Sequence, residues 1–495
     1  MIDMDVSNEI EQPRNSLINI NEALKYENYI KKKRNIRIGI IIGAVIFVII
    51  LLVVIIVLAS SGNSDNTEGK NEKPDKPTYV NIIKATYFTE KDNETIKMIN
   101  DNINNKLNIK LFINGEEKTF NNEYIFEEQN EYFIEFQFYE ELKNLSELFM
   151  NIKNLKDIDL SGIKTDKVKN MDKLFYKCES LEIVNLTNLN TYNVETMKSM
   201  FEGCINLKEV YMRNVTTLNT INTNSMFSNC YNLTNINNDY FDLTKTEDAS
   251  YMFEKCFSLQ GITLKNDKVS STIAMKSMFT QCKSLKSIHL HNFERKEIKT
   301  IDFMFNECQS LESIDLSKFD TSQVKSISRL FSNCSSLKTI DISEMNFTNV
   351  TDMSYTFRNC TSLTNIDLTN FKTDNTRNME GLFFGCSSLK SIEIKNLLNV
   401  TSINDIFNRC TSLENVTLSA IKVIRADRVF KGCNSLKFID LSNFNANDIE
   451  FIITDFFPAD ANNVTLVFNS SLIGALKRKI PEEWNKIDLN NQTIY

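Results

Sequence analysis

The residues of this chain whose types could do chemistry are eleven cysteines, two histidines and a row of acids that returns at one phase. Cys178, Cys204, Cys230, Cys256, Cys282, Cys308, Cys334, Cys360 and Cys386 are each 26 residues apart, and Cys410 and Cys433 follow at 24 and 23. One thiol at a fixed interval points to a core position, where free cysteine behaves as a small hydrophobe. Bridging neighbouring units would need Cα atoms within about 7 Å, whereas packed helices sit roughly 8–10 Å apart. The thiols are therefore expected to be free and structural. His289 and His291 have no cysteine beside them and no clear third ligand, which makes a poor zinc site. They are also the only histidines open to a Ser-His-Asp arrangement, and no nucleophile motif accompanies them. Gly-rich phosphate loops, HExxH and EF-hand patterns are missing too. No catalytic residue, metal site or cofactor is expected, and hence no enzyme.

The acids suggest binding instead. They sit between two apolar residues of a recurring phrase, as in Leu311–Glu–Ser–Ile314–Asp315–Leu316. Apolar residues spaced two apart argue a short strand, and the residue between them points away from the core. From unit to unit this slot holds Asp159, Asn185, Tyr211, Asn237, Thr263, His289, Asp315, Asp341, Asp367, Glu393, Thr417 and Asp440. Asp315, Asp341, Asp367 and Glu393 come in succession. On strands about 4.8 Å apart their carboxylates repel one another and favour a basic partner or a weakly held divalent cation. The plainer reading is a solubilising acid carried along by the repeat. Tyr211, His289, these four acids and Asp440 make up the candidate ligand-binding row.

The elements that position this row form a repeat. After each strand phrase come Val-x-x-Met-x-x-Met-Phe-x-x-Cys positions, as in Val194, Met197, Met200, Phe201 and Cys204. Spacings of three, three, one and three put these side chains on one face of a short helix. Thr165, Thr191, Thr321 and Thr373 sit three residues before the Val slot (held by Thr376 in the last case) and are placed to cap that helix. Ile152 holds the cysteine slot of a degenerate first copy, so twelve units span residues 143–455. A fixed period of this size means a solenoid, because no unit can bury its apolar faces alone. The expected fold class is an α/β solenoid: a right-handed array of strand-turn-short-helix units with a parallel sheet on one face.

Phrases such as Met200–Phe–Glu–Gly–Cys204 with Leu207, Leu311–Glu–Ser–Ile–Asp–Leu–Ser–Lys–Phe319 and Cys386–Ser–Ser–Leu389 resemble the BspA-like branch of leucine-rich repeats, the mycoplasma-type "surface protein" repeat. The resemblance covers about 310 of 495 residues. It implies a leucine-rich-repeat-like solenoid shown on microbial cell surfaces and associated with adhesion or ligand binding. Phe293, Phe319 and Phe371 stand in the slot that Asn usually fills, so an Asn ladder is not expected there. Lipoprotein members need an anchoring cysteine near the N-terminus. Here the first is Cys178, which leaves the task to a membrane helix.

Outside the array the pattern changes several times. Residues 1–37 are a polar tail ending in Lys31–Lys32–Lys33–Arg34 and Arg37. Residues 38–59 are an uncharged Ile/Val/Leu run, long enough to cross a hydrocarbon layer about 30 Å thick. The basic flank places the tail in the cytoplasm and the rest outside. The run exceeds the 7–15 residues or so of a signal-peptide core, which favours an uncleaved anchor. Residues 60–78 are a polar stalk. Residues 79–142 read as a β-rich cap, with Asn114–Gly115 marking a hairpin, and residues 456–495 as a C-terminal cap with a helix over Ser471–Lys479.

The net charge of −8 leaves no basic stripe for nucleic acid. The expected protein is thus a single-pass, plasma-membrane, cell-surface binder of an extracellular protein or cell-surface ligand. It is adhesin-like, with a receptor or a structural coat protein as alternatives.

Overall fold

In every repeat unit two residues, five and one before the cysteine slot, take a left-handed backbone with φ from +53° to +79°. The pairs run from Glu147 and Asn151, through Lys173 and Lys177, to Arg428 and Gly432. The structure, a computed structural model, describes residues 81–100, 108–238, 241–266, 273–291, 293, 297–317, 319–368, 373–420, 423–444, 455–469, 476, 478–489 and 493–494. All of these fall in one compact unit, Pro77–Tyr495. The tail, the run 38–59 and the stalk lie outside the described residues, as does Phe371. Among the described residues no helix is long and apolar enough to cross a membrane.

The left-handed pairs overturn the expected short helix. An L-residue pays roughly 1–2 kcal/mol for that conformation, and single residues adopt it where helices cannot continue. The amides then alternate in their partners. Lys173, Phe175 and Lys177 donate N–H groups to the carbonyls of Lys198, Met200 and Glu202 in the next unit, at 2.9, 2.8 and 2.8 Å. Between them, Leu174, Tyr176 and Cys178 close turns onto Met171, Lys173 and Phe175 at 3.3, 3.1 and 3.1 Å. In a helix every such amide would point back four residues. Here half of them tie one unit to the next, so the spacing that reads as a helix face is a stack of turns. No helical element forms among the described residues of the array, which is a β-solenoid rather than α/β.

The expected N-caps change role accordingly. Thr165, Thr191 and Thr321 donate their Oγ1 hydroxyls to the carbonyls of Asn190, Thr216 and Asn346 in the following unit, at 2.6, 2.7 and 2.9 Å. Thr376, which fills the Val slot of its unit, likewise donates to the carbonyl of Val350 in the preceding unit at 2.9 Å. A buried hydroxyl must find a partner, and here that partner is the neighbouring coil.

Inside, one phenylalanine per unit, three before the cysteine slot, forms a single column from Phe149 to Phe430. Its eleven stacked pairs have centroids 5.1–6.0 Å apart and planes within 16°. Met197, Met200 and Phe201 are buried, as the apolar stripe requires. On the far side of this core the strand phrases pair in parallel, as in Asp157–Asp159 with Ile183–Asn185 and then Glu209–Tyr211. The pairing is not continuous. Ile314/Leu316, Ile340/Ile342 and Ile366/Leu368, expected as strands, contribute only the isolated Asp315–Asp341 bridge among the described residues.

Both ends are closed by strands. In the N-terminal cap, β1 (Asn81–Phe88) is followed by β2 (Glu94–Lys97), β3 (Ile109–Ile113), β4 (Glu116–Lys118), β5 (Glu123–Phe126) and β6 (Glu131–Phe138). Asn114 and Gly115, at φ +52° and +90°, turn β3 onto β4, the conformation a two-residue Asn-Gly hairpin requires. β1 pairs antiparallel with β6 on one side and with β7 (Leu155–Gly162), the first array strand, on the other. The cap sheet thereby runs into the array sheet and covers its open end. At the other end Thr465–Phe468 and Asn485–Asp488 extend the parallel ladder. Trp484 is buried there and donates Nε1–H to the Ala461 carbonyl at 2.8 Å. The helix expected over Ser471–Lys479 lies mostly outside the described residues.

Gly381 fills one left-handed slot at φ +58°, and a Cβ there would lie 2.4 Å from ring atoms of Tyr355. Gly381→Ala is expected to displace that ring and lower stability by about 1–3 kcal/mol, read as a fall in the thermal midpoint. An unchanged midpoint would mean that the left-handed slots carry no steric requirement.

Candidate functional site

Every residue of the candidate row for which the strand phrase predicts an outward side chain is at the surface. His289, Asp315, Asp341, Asp367 and Glu393 are exposed, whereas Tyr211 and Asp440 are half-buried. Backbone register sets the neighbours. Tyr211 stands beside Asn185 and Asn237, and His289 beside Thr263. Asp440 lies between Thr417 and Val467, with Thr417 separating it from Glu393. Tyr211 is thus not brought to the acids, His289 belongs to the unit just before that of Asp315, and Asp440 is one strand removed from Glu393.

The acids themselves are joined. Asp315 and Asp341 face each other across a parallel bridge. The backbone N–H of Ser343, followed by its hydroxyl, holds the Asp341 carboxyl below its ordinary range, while the charges of Asp315 and Asp367 push the other way. The N–H bond is 3.0 Å and the hydroxyl bond 2.7 Å. A carboxylate that accepts two hydrogen bonds keeps its charge, so Asp341 stays ionised between the acids of its two neighbouring units. Glu393 differs, because Lys395 Nζ lies 2.5 Å from it. Glu393, the last of the four acids, is therefore engaged in an ion pair. Among the described residues no group of three or more His, Cys, Asp or Glu could hold a metal ion.

All eleven cysteines are free and buried. Each Sγ donates to the carbonyl of the column phenylalanine in the preceding unit, as Cys178 to Phe149 at 2.9 Å and Cys308 to Phe279 at 3.1 Å. The helix-spacing argument for their freedom does not apply, since the coils stack more closely than helices do. Each sulfur is instead turned toward that carbonyl. Burial pushes the thiols upward, to about 12 at Cys178, Cys386 and Cys433.

Two features escape the motif reading. Asparagines eleven before the cysteine slot reach back to the preceding unit. Asn193, Asn219, Asn349 and Asn375 donate Nδ2–H to the carbonyls of Asp166, Tyr192, Ser322 and Thr348 at 2.6–2.8 Å. An asparagine ladder thus exists in a different slot from the one held by the buried Phe293 and Phe319. On the outer side of the turns, Phe303, Arg329 and Tyr355 share one phase, and Arg358 and Phe384 another, each 26 residues apart. The guanidinium carbon of Arg329 lies 5.5 Å from the Phe303 ring centre and 5.3 Å from that of Tyr355. Tabulating the outward turn slots as the strand slots were tabulated would have found this row.

The family model described as "Mycoplasma protein of unknown function, DUF285" matches residues 143–266 and 273–396, just over half of the chain. The BspA type leucine rich repeat region matches 354–472. No curated protein matches. Among solved structures, a leucine-rich repeat protein from Bacteroides ovatus is 17% identical, with 75% of this chain and 90% of that one covered and a TM-score of 0.34. A leucine rich cell surface protein from Faecalibacterium prausnitzii is 19% identical, at 61% and 88% coverage and a TM-score of 0.30. With that family model spanning the coils built above, this chain belongs to the family described as "Mycoplasma protein of unknown function, DUF285", and its residues 354–472 match the BspA type leucine rich repeat region.

Proposed function

We propose that this chain is a membrane-anchored, cell-surface repeat protein that binds a protein or cell-surface partner through its strand row, in an adhesin-like role. The observation that carries this reading is the row of Asp315, Asp341 and Asp367. It is exposed and charged, and the repeat holds it in one line. A rigid row of like charges on consecutive units selects a basic partner surface and steers its approach. The repeat family supports a binding or surface role, and the basic residues before the run 38–59 support a cytoplasmic tail with the array outside.

The test uses cells carrying the full chain. Protease shaving of intact cells is expected to release peptides from the array while residues 1–31 stay protected. Adhesion of the same cells to immobilised extracellular-matrix protein is expected to fall on the order of tenfold in Asp341→Lys/Asp367→Lys, equivalent to about 1.4 kcal/mol. An array protected from protease, or adhesion indifferent to the reversal, defeats the proposal.

A further inference from the structure

The strand side of the array is stitched toward both ends and open in its middle. Between the strands Ser287–His291 and Ser391–Leu397, three successive coils place Asp315, Asp341 and Asp367 in the outward slot. Among the described residues the strand phrases of these coils form no strand, and the single Asp315–Asp341 bridge is the pairing they retain. Burial of the inward side chains thins on either side of that bridged pair. Ile288 and Leu290 before it, and Ile366 and Leu368 after it, are half-buried. Where the ladder resumes, Val416 and Ile439 are buried again.

The acids account for the place of the gap. Elsewhere an acid in this slot has an uncharged or basic residue beside it on the ladder. Asp159 pairs with Asn185 and Lys84, Glu393 with Thr417, and Asp440 with Thr417 and Val467. Only across the gap does acid follow acid, from Asp315 through Asp341 and Asp367 to Glu393. Like charges opposite each other on neighbouring strands destabilise their pairing. The charges of Asp315 and Asp367 both act on Asp341, so the repulsion is felt along the row.

The turn side of the same coils is intact. The N–H groups of Ile327, Arg329 and Phe331 reach the carbonyls of Asp352, Ser354 and Thr356 in the next coil at 3.0, 3.0 and 2.9 Å. The phenylalanine column also runs through without a break, its rings 5.4–5.7 Å apart from Phe305 to Phe383. A stack held along one side and unpaired along the other bends about the held side. We propose that these three coils are a hinge: the turn side holds, the strand face spreads under the repulsion of Asp315, Asp341 and Asp367, and neutralising the row closes it. A cationic partner seated on the row would close the ladder as it binds and so change the bend of the array. That use of the hinge rests on the strand row being a binding face; the hinge itself does not.

Amide hydrogen exchange, read by mass spectrometry on the full-length chain in a mild non-ionic detergent, is the test. At about 0.01 M salt, where charges act over roughly 30 Å, segments 312–317, 338–343 and 364–368 should exchange faster than Asn415–Ala420 and Phe438–Leu441. The expected difference is on the order of tenfold, while turn segments 327–333 and 353–359 stay protected. Salt at about 1 M, where the screening length falls to roughly 3 Å, should remove most of it. Asp341→Asn installs the residue that Asn185 and Asn237 place in this slot of the ladder, and should have the same effect at low salt. Asp341→Glu keeps the charge and should exchange as the wild type does. Three segments as protected as the flanking strands, Asn and Glu variants that behave alike, or turn segments that exchange along with the strand face would overturn the hinge. Exchange that follows salt and charge, in a chain whose cell adhesion ignores Asp341→Lys/Asp367→Lys, would uphold the hinge and remove the binding-face reading.

Discussion

Raising the pH of this protein from 8 to about 10 is expected to unfold the array cooperatively. All eleven thiols are buried, and burial pushes them up, to about 12 at Cys178, Cys386 and Cys433. In the unfolded chain a thiol titrates near its ordinary value of about 8.5. Below that value both states hold their protons, and the thiols cost nothing. Above it the unfolded chain releases protons that the folded chain retains, so stability falls as pH rises, until the folded thiols themselves titrate. Each thiol contributes about 1.4 kcal/mol per pH unit in that window. Eleven together approach about 15 kcal/mol per unit, as much as a whole domain's stability of roughly 5–15 kcal/mol. The measurement is far-UV circular dichroism against pH, with thiolate absorbance read in parallel. Both signals should change together within about one unit above the ordinary thiol value. Gradual thiolate formation in a protein that keeps its fold would mean that the sulfurs are accessible to water.

Removing one ring from the column should also have a large effect. Phe279 is fully buried, stacked at 5.4 Å on Phe253 and 5.7 Å on Phe305 with planes within 5°. Phe279→Ala is expected to cost about 3–5 kcal/mol, the range for deleting a buried phenyl group, and to break two stacked contacts at once. Because a solenoid is held by its nearest-neighbour interfaces, the loss falls in the middle of the array. Denaturant unfolding that is one transition in the wild type should split into two, as the halves on either side of the gap uncouple. Phe279→Leu refills most of the volume and should cost less, about 1.5 kcal/mol. A loss below about 1 kcal/mol in Phe279→Ala would show that the column is space-filling without coupling the coils.

The repeat, its register and its buried stripe were legible because they depend on periodicity alone. A cysteine every 26 residues and Ile/Leu pairs spaced by two are apolar positions that any coil of this length must bury. The same alternation placed Asp315, Asp341 and Asp367 outward, since side chains on a strand leave opposite faces. The backbone between the strands was not legible. Spacings of three, three, one and three satisfy a helix face and also a stack of turns. The choice is made by left-handed residues such as Lys173, Tyr355 and Arg409, whose side chains give no hint of that conformation. Only hydrogen bonds to the next coil stabilise them there, and those exist only once the coils have stacked. The pairing of charges was equally hidden. Arg428 meets Asp405 of the preceding coil, while Arg329 and Arg358 meet aromatic rings of neighbouring coils. Sequence by itself determined which residues face the core and which face water; stacking decided which surface charges are answered from the neighbouring coil, because that depends on distances across the repeat rather than along it.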